Sequence, residues 1–451
     1  MRGKRAIIAM VFMGLVLGGA WVVTRTGGRG PSAVRLLQFD PTAVTELRLT
    51  FENDAAIEIV TRLDSGFWVV QGASDAWPVD ASVIRGAMTK LRSMLGEPTD
   101  VLETAAATLV ISGAGGPIAT LRMSAARLAG RGRVEVTAEG STTTFLTDGE
   151  LLDVFTSSGL LPWRDQKALP VLGAGATRLT LGDGETEIGL ALVRGRWGMT
   201  TPFRERTDQA RVNAVLRSLA ALEFDRFIDD QDLPHTARAS ATLEVDLVRS
   251  GESLRQRLEV LGAANIGGEH VYVSVTLERN GEVWGAATGI IARGVLDEIP
   301  MDPAWYASRR AVDAVPADVA RIWISRAVAP ALAPLLPDPK MQAEVTLQRT
   351  LDGWAGPNPA AVALYNEAAA AFLTLLCDID ADEVGAELPE QYTPVALIQV
   401  GGRDGLPTGI AEIGVAKSGV SQIVIVRSGS MNRVYTDSRT VGLVDAILNV
   451  E

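Results

Sequence analysis

The stretch that decides the fold is "VRGRWGMTTPFRERTDQARVNAVLRSLAAL", residues 193–222. It predicts a strand that ends at Trp197, a polar turn that contains Pro202, and a helix that begins near Asp208, a suitable N-cap. The helix has apolar residues at the i, i+3, i+4, i+7 spacing of one buried face: Val212, Val215, Leu216 and Leu219. A large amphipathic ring at Trp197 would fill the corner between sheet and helix.

The same pattern occurs twice more in the chain. "VTELRLTFENDAAIEIVTRLDSGFWVV" (44–70) leads through Trp68 to a helix that Asp80 can cap, and "AEVTLQRTLDGWAGP" (343–357) leads through Trp354 to a helix that Asn358 can cap. The apolar stripes of these two helices are Ile84, Ala87, Met88 and Leu91, and Ala369, Phe372, Leu373 and Leu376. We therefore expect Trp68, Trp197 and Trp354 to take equivalent positions.

Each helix is followed by a strand-like segment, an antiparallel meander and a short helical segment. In the second copy, "HVYVSVTLERNGEVWGAAT" (270–288) contains the hairpin signal Asn280-Gly281. The sequence thus predicts an α+β protein with three tandem copies of a ββ-α-β-meander-α unit and mainly antiparallel sheets. The predicted domains are an anchor with its linker at 1–30, followed by repeat domains at 31–165, 166–308 and 309–451.

The N-terminus carries a hydrophobic segment, "AIIAMVFMGLVLGGAWVV" (6–23), preceded by three basic residues. As a helix it would be about 27 Å long, enough to span a thin bilayer, and the preceding charges favour a cytoplasmic N-terminus. We predict an uncleaved single-span anchor in the cytoplasmic membrane. The alternative is a signal peptide, because Gly18 and Ala20 provide a plausible cleavage site. Both interpretations place the rest of the chain outside the cytoplasm.

Composition excludes several function classes. The 42 basic and 54 acidic residues give a formal net charge of −12, which argues against nucleic acid as a partner. One cysteine, Cys377, excludes an internal disulfide, and its position on an apolar helix face predicts a core thiol. The sequence has neither a phosphate-binding loop ending in Lys-Ser or Lys-Thr nor a Gly-x-Ser-x-Gly nucleophile motif. We expect no enzyme activity, no cofactor and no metal.

The best candidate for a metal site is "CDIDADE" (377–383), in which Asp378, Asp380 and Asp382 alternate like the start of a calcium-binding loop. The loop would need glycine at its sixth position and glutamate at its twelfth, where this chain has Glu383 and Pro389. We predict a solvated turn. The sequence leaves open whether the three aspartates bind a cation.

An excess of arginine marks the second copy, which has six arginines and two acidic residues between positions 194 and 217. Arg211 and Arg217 are about 600° apart on a helix and therefore diverge. The predicted contact with a membrane or partner centres on the other four, which are Arg194, Arg196, Arg204 and Arg206. The alternative is a solvated face with no partner.

The strand pair with its tryptophan, the Pro-containing loop, the helix and the link "LLPWRDQKALP" (160–170) resemble the bacterial family called Domain of Unknown Function 4340. The resemblance covers the chain after the predicted anchor. The insertion "RAVAPALAPLLPDPKMQ" (326–342) departs from the pattern. The resemblance implies a membrane-anchored extracytoplasmic protein associated with ABC-type export systems like those of gliding motility. It implies no site residues.

We therefore expect a non-catalytic accessory or binding subunit of an ABC-type transport or envelope assembly, anchored in the inner membrane by residues 6–23. Membrane proteins of that assembly are the expected partners. The first alternative is a secreted periplasmic protein that binds envelope polymers. The second is a hydrolase that uses scattered carboxylates, which the sequence does not exclude.

Overall fold

A computed structural model describes residues 33–450 except 53–56, 64–65, 73–75, 103, 173–174, 229–232, 234–237, 250, 328–343, 419–420 and 437–438. The predicted anchor at residues 6–23 lies outside the described residues. The chain divides into two compact units, Met1–Asp165 and Gln166–Glu451.

In the first unit the described residues form a ten-stranded antiparallel sheet with the order β1-β6-β10-β9-β8-β7-β2-β3-β4-β5. Its strands are β1 (Val34–Arg35), β2 (Val44–Phe51), β3 (Ile57–Arg62), β4 (Trp68–Gln71), β5 (Trp77–Pro78), β6 (Leu95–Pro98), β7 (Ala107–Gly113), β8 (Gly116–Leu128), β9 (Arg131–Ala138) and β10 (Ser141–Asp148). Helix α1 (Ala81–Ser93) buries Ile84, Met88 and Leu91 in the core of this sheet. Helix α2 (Gly149–Asp153) follows the last strand.

The second unit contains two sheets, which we call the second and third sheets. Among the described residues the second sheet has the order β14-β13-β12-β11-β16-β17-β18-β19-β15. Its strands are β11 (Ala176–Gly182), β12 (Glu187–Val193), β13 (Arg196–Thr201), β14 (Glu205–Arg206), β15 (Arg226–Ile228), β16 (Ala241–Arg249), β17 (Glu252–Ala263), β18 (His270–Arg279) and β19 (Glu282–Ala292). Its helices are α3 (Gln209–Ala220), α4 (Arg293–Asp297) and α5 (Pro303–Tyr306).

The third sheet has the order β22-β21-β20-β24-β25-β26-β27-β23 in the described part of the chain. Its strands are β20 (Arg321–Arg326), β21 (Val345–Thr350), β22 (Gly353–Ala355), β23 (Glu383–Gly385), β24 (Thr393–Gly401), β25 (Pro407–Ser418), β26 (Ser421–Ser428) and β27 (Met431–Tyr435). Helix α6 (Val362–Leu373) and helix α7 (Arg439–Leu448) cover its inner face, where Tyr365, Phe372 and Val444 are buried.

The three sheets have corresponding strand orders. In each, the first strand of the hairpin that precedes the long helix pairs with the strand that opens the meander, as β2 pairs with β7, β11 with β16 and β20 with β24. The short strand after the long helix pairs with the last meander strand, as β6 does with β10, β15 with β19 and β23 with β27. The predicted α+β class with mainly antiparallel sheets is confirmed.

Local signals placed the long helices correctly. The Asp80 carboxylate accepts a hydrogen bond from Ser82 N at 2.6 Å, and that of Asp208 accepts one from Ala210 N at 2.9 Å. Asn358 Oδ1 likewise accepts one from Ala360 N at 2.9 Å, at the start of the single 3-10 turn (Pro359–Ala361) that leads into α6. Each bond satisfies an N–H that has no partner within the helix, and all three predicted caps are therefore confirmed.

The prediction that a strand ends at Trp197 is wrong. Trp197 lies near the start of β13 and pairs with Leu192 across a hairpin. The turn between them has φ of 52° at Arg194 and 78° at Gly195, the two positive values of a type I′ turn. Trp68 and Trp354 also lie at the start of a third strand, β4 and β22. Arg-Gly lacks the usual Asn-Gly or Asp-Gly signature, which is why the sequence did not indicate this turn.

Among the described residues one helical stretch, Pro359–Asp378, is long and apolar enough to span a membrane. Its side chains Ala369, Phe372 and Leu376 are fully buried in the core of the third sheet. These contacts are those of a core helix, and its apolarity reflects burial against the sheet.

Cys377 lies on the same stretch, 1% exposed, which agrees with the predicted core thiol. Burial, assisted by the charge of Asp378, raises the pKa of this thiol from 9.0 to about 11. The shift lowers the thiolate fraction at pH 8 by about a hundredfold. We expect the native protein to react with iodoacetamide at least about a hundredfold more slowly than the urea-unfolded chain, by mass spectrometry of the alkylated thiol. Equal rates in the two states would contradict the buried position.

Candidate functional site

A cleft of about 550 Å³ lies between the second and third sheets, within the second unit. Ligand sites commonly fall in this size range and at such junctions. The cleft is lined from the second sheet by Ala191, Val193, Gly198, Met199, Thr200, Arg204, Glu205 and Arg206. The third sheet and the turn after β26 contribute Thr408, Gly409, Ile410, Ser428 and Gly429. The segment between α5 and β20 (residues 307–320), which we call the connecting segment, contributes Ala311, Val312 and Asp313.

Backbone pairing fixes one wall of this cleft. Strand β14 pairs with β13 on one side, with Glu205 opposite Met199. On its other side it meets the end of α5 and the start of the connecting segment. Ser308 N donates to Arg206 O at 2.9 Å, and Asp208 N, just after β14, donates to Tyr306 O at 2.8 Å. The edge of the second sheet is therefore closed by the chain that leads to the third sheet.

A buried ion pair joins the two sheets beside the cleft. Arg433 Nη2 lies 3.2 Å from Glu205 Oε1, and the two side chains are 0% and 2% exposed. Glu205 Oε2 accepts a further bond from Ser430 N at 2.9 Å. Arg433 Nε donates to Ser308 O, and its Nη1 donates to Ser428 O, both at 2.9 Å. The charges neutralise each other, and the additional bonds meet the requirement for a stable buried pair.

Sequence analysis missed this pair because its members are 228 residues apart. Arg433 stands in a strand whose alternation gives no sign of a buried charge. Glu205 was counted only as one of the few acids in the arginine-rich stretch. A search for glutamate and arginine residues in predicted strands would not have distinguished these two from solvated residues.

The structure places the four predicted arginines differently from one another. Arg196 pairs with Asp313 of the connecting segment, and both side chains are largely exposed. Arg206 Nη2 donates to the carbonyl oxygens of Arg310, at 3.1 Å, and of Ala311. Arg204 is exposed on the wall of the cleft, and Arg194 is exposed in the β12–β13 turn. Contact with a membrane or partner stays a prediction for all four.

Burial is the main influence on the Arg206 guanidinium. It lowers the pKa of Arg206 from its ordinary value, and the nearby positive charge of Arg433 lowers it further. The negative charges of Glu205 and Asp313 act in the opposite direction. The direction of the shift therefore reflects mainly the burial of the guanidinium and, second, its proximity to Arg433.

The ion pairs of the cleft leave an uneven distribution of charge. Of its two carboxylates, Glu205 pairs with Arg433 and Asp313 pairs with Arg196. Neither of these arginines lines the cleft. In the described part of the chain, the two arginines that do line the cleft, Arg204 and Arg206, form no ion pair. The wall therefore presents positive charge and no unpaired acid.

Groups of the acidic segment that resembles a calcium-binding loop form ion pairs and hydrogen bonds with neighbouring residues. Arg310 Nε lies 3.4 Å from Asp380 Oδ1, and Thr436 N donates to Asp382 Oδ2 at 3.0 Å. Arg309 Nε donates to the neighbouring carbonyl of Ala381 at 2.8 Å. Among the described residues no group of three or more His, Cys, Asp or Glu side chains could hold a metal ion. Asp380 thus faces Arg310, and the Asp382 carboxylate is bound by a backbone N–H.

No curated protein matches this chain. One family model, described as Domain of unknown function (DUF4340), matches residues 101–241. The matched range begins before β7 and ends at the first residue of β16, and it includes the arginine-rich stretch. This match supports the resemblance to the DUF4340 family over residues 101–241.

Proposed function

We propose that the protein is a non-catalytic, membrane-anchored extracytoplasmic accessory or binding subunit of an ABC-type transport or envelope assembly. The observation that supports this proposal is the state of the carboxylates in the cleft. Glu205 is locked in a buried ion pair, and Asp313 is paired with Arg196. General acid–base catalysis needs a titratable group that is free to reach a substrate proton. The chemistry of this cleft is better suited to recognition.

We further propose that the chain contains three tandem copies of one unit, with the domain boundaries expected from the sequence. The corresponding strand orders support this proposal, and so does a contact at the tryptophan that the second and third copies share. Trp197 N donates to Gln209 Oε1 at 2.8 Å, and Trp354 N donates to Asn366 Oδ1 at 2.7 Å. In both cases the amide side chain stands 12 residues after the tryptophan, on or just after the helix start.

The proposed anchor is the hydrophobic segment at residues 6–23, with the bulk of the chain outside the cytoplasm. The intact chain should remain in the membrane pellet after carbonate washing, because about 18 apolar residues can span the hydrocarbon core. Protease added to spheroplasts should digest it. A mature form that begins near Trp21 and is released by the wash would instead establish a signal peptide.

Site-specific crosslinking tests the binding role. A photoreactive residue at Thr200, on the cleft wall, is compared with one at Arg217, an exposed helical position outside it. In intact membranes we expect the Thr200 probe to capture a membrane subunit of an ABC-type system, identified by mass spectrometry. Capture of envelope polymer alone would favour the secreted binding protein. Equal products from both positions would remove the cleft from the proposal.

A further inference from the structure

The cleft has the features of a site for an anionic, partly apolar ligand. Arg204 is exposed on its wall and has no ion pair among the described residues. Arg206 donates from Nη2 to the carbonyl oxygens of Arg310 and Ala311, and within the described part of the chain its Nε and Nη1 have no acceptor. The chain as a whole carries a formal net charge of −12, so the charge of this wall is opposite in sign to that of the whole protein.

Much of the rest of the cleft surface is apolar. Ala191 and Val193 come from β12, Val312 from the connecting segment and Ile410 from β25. Val193 is 62% exposed, an unusual environment for a β-branched side chain in a strand. An apolar surface beside uncompensated guanidinium groups fits a ligand that alternates carboxylates with apolar groups.

The spacing of the two arginines indicates the form of that ligand. Arg204 directly precedes strand β14 (Glu205–Arg206), and two residues of extended chain span about 7 Å between Cα atoms. An extended peptide has the same spacing between side chains i and i+2, which point to one face. The intervening side chain then points to the other face.

We propose that the cleft binds an extended acidic segment of a partner protein, in which carboxylates at positions i and i+2 pair with Arg204 and Arg206. The apolar residues of the segment lie mainly on Ala191 and Val193, beside the largely buried Val312 and Ile410. This inference rests on the proposed binding function. An extended peptide suits the site better than a lipid surface, because Arg206 is half-buried in a cleft that a planar membrane does not enter.

Peptide binding to the full-length chain in detergent micelles tests this inference. The probe is a fluorescein-labelled octapeptide that alternates Asp and Leu, and its Asn-Leu counterpart serves as the uncharged control. By fluorescence anisotropy we expect Arg204→Gln to raise Kd by about tenfold and Arg204→Glu by about a hundredfold. Added salt should weaken binding of the Asp-Leu probe, since the contact is electrostatic.

Arg217→Glu is the matched control, because it makes the same charge change on the same sheet's helix outside the cleft. Its Kd should stay within about twofold of the wild-type value. Circular dichroism verifies that each variant is folded.

The inference would be overturned if the Asp-Leu and Asn-Leu probes bound equally well, or if Arg217→Glu raised the Kd as much as Arg204→Glu. It would also be overturned if the peptide did not bind while phosphatidylglycerol vesicles bound in a way that depends on Arg204. Failure here together with exporter capture from Thr200 would leave the proposed function intact.

Discussion

Replacing Glu205 with alanine is expected to lower the free energy of unfolding of the second unit by about 3–5 kcal/mol, the usual effect of removing one partner of a buried ion pair. The variant leaves the guanidinium of Arg433 fully buried with no carboxylate. It also removes the acceptor for Ser430 N. Urea unfolding followed by hydrogen exchange of segments in β13 and β27 measures the loss on both sides of the junction.

Two variants serve as controls for this prediction. Asp313→Ala breaks an exposed ion pair with Arg196 and should cost at most about 1 kcal/mol. The double variant Glu205→Leu with Arg433→Met replaces the pair by apolar groups of similar volume and should recover most of the stability. If Glu205→Ala were no more damaging than Asp313→Ala, the pair would not hold the two sheets together.

The same pair bears on binding. Its hydrogen bonds reach Ser308, Ser428 and Ser430, so it fixes the connecting segment against the turn between β26 and β27. Both of these segments adjoin the lining of the cleft. A cleft held in one shape before the ligand arrives loses less conformational entropy on binding. Weakening the pair should therefore weaken peptide binding even where Arg204 and Arg206 are unchanged.

The sequence was informative wherever the determinant is local. The helix faces follow from residues three and four positions apart, such as Val212, Val215 and Leu219, and all of these are buried. The cap at Asp208 depends on a backbone N–H two residues away. Asn280-Gly281 forms a turn with φ of 53° and 86°, as its signature predicts.

The candidate site was only partly predictable because its contacts are not local. The excess of arginine indicated Arg204 and Arg206, which do line the cleft. It could not show that Arg206 donates to the carbonyl of Arg310, 104 residues away, or that Arg196 pairs with Asp313, 117 residues away. Such pairings depend on how two sheets pack, which a one-dimensional charge count does not contain.

The first sheet shows the same limit for side-chain packing. The alignment of the three copies predicted that Trp68 takes a position equivalent to those of Trp197 and Trp354. Trp68 is only partly buried, whereas Trp197 and Trp354 are 6% and 7% exposed. In the first unit the fully buried indole belongs to Trp77, three residues before the cap Asp80. Its Nε1 donates to Asp165 O at 2.8 Å. Trp77 therefore ties the start of α1 to the end of this unit.

We expect Trp77→Ala to lower the free energy of unfolding of the first unit by about 3–5 kcal/mol, because it opens a cavity the size of an indole and removes the donor to Asp165 O. Trp68→Ala, at a half-buried position, should cost about 1–2 kcal/mol. Trp77→Phe keeps much of the ring volume but removes the N–H donor, so it measures the contribution of the hydrogen bond apart from that of packing. Urea unfolding with hydrogen exchange of β2 and β7 gives the three values. A larger loss for Trp68→Ala than for Trp77→Ala would mean that the corner tryptophan of the aligned pattern, and not Trp77, anchors this sheet.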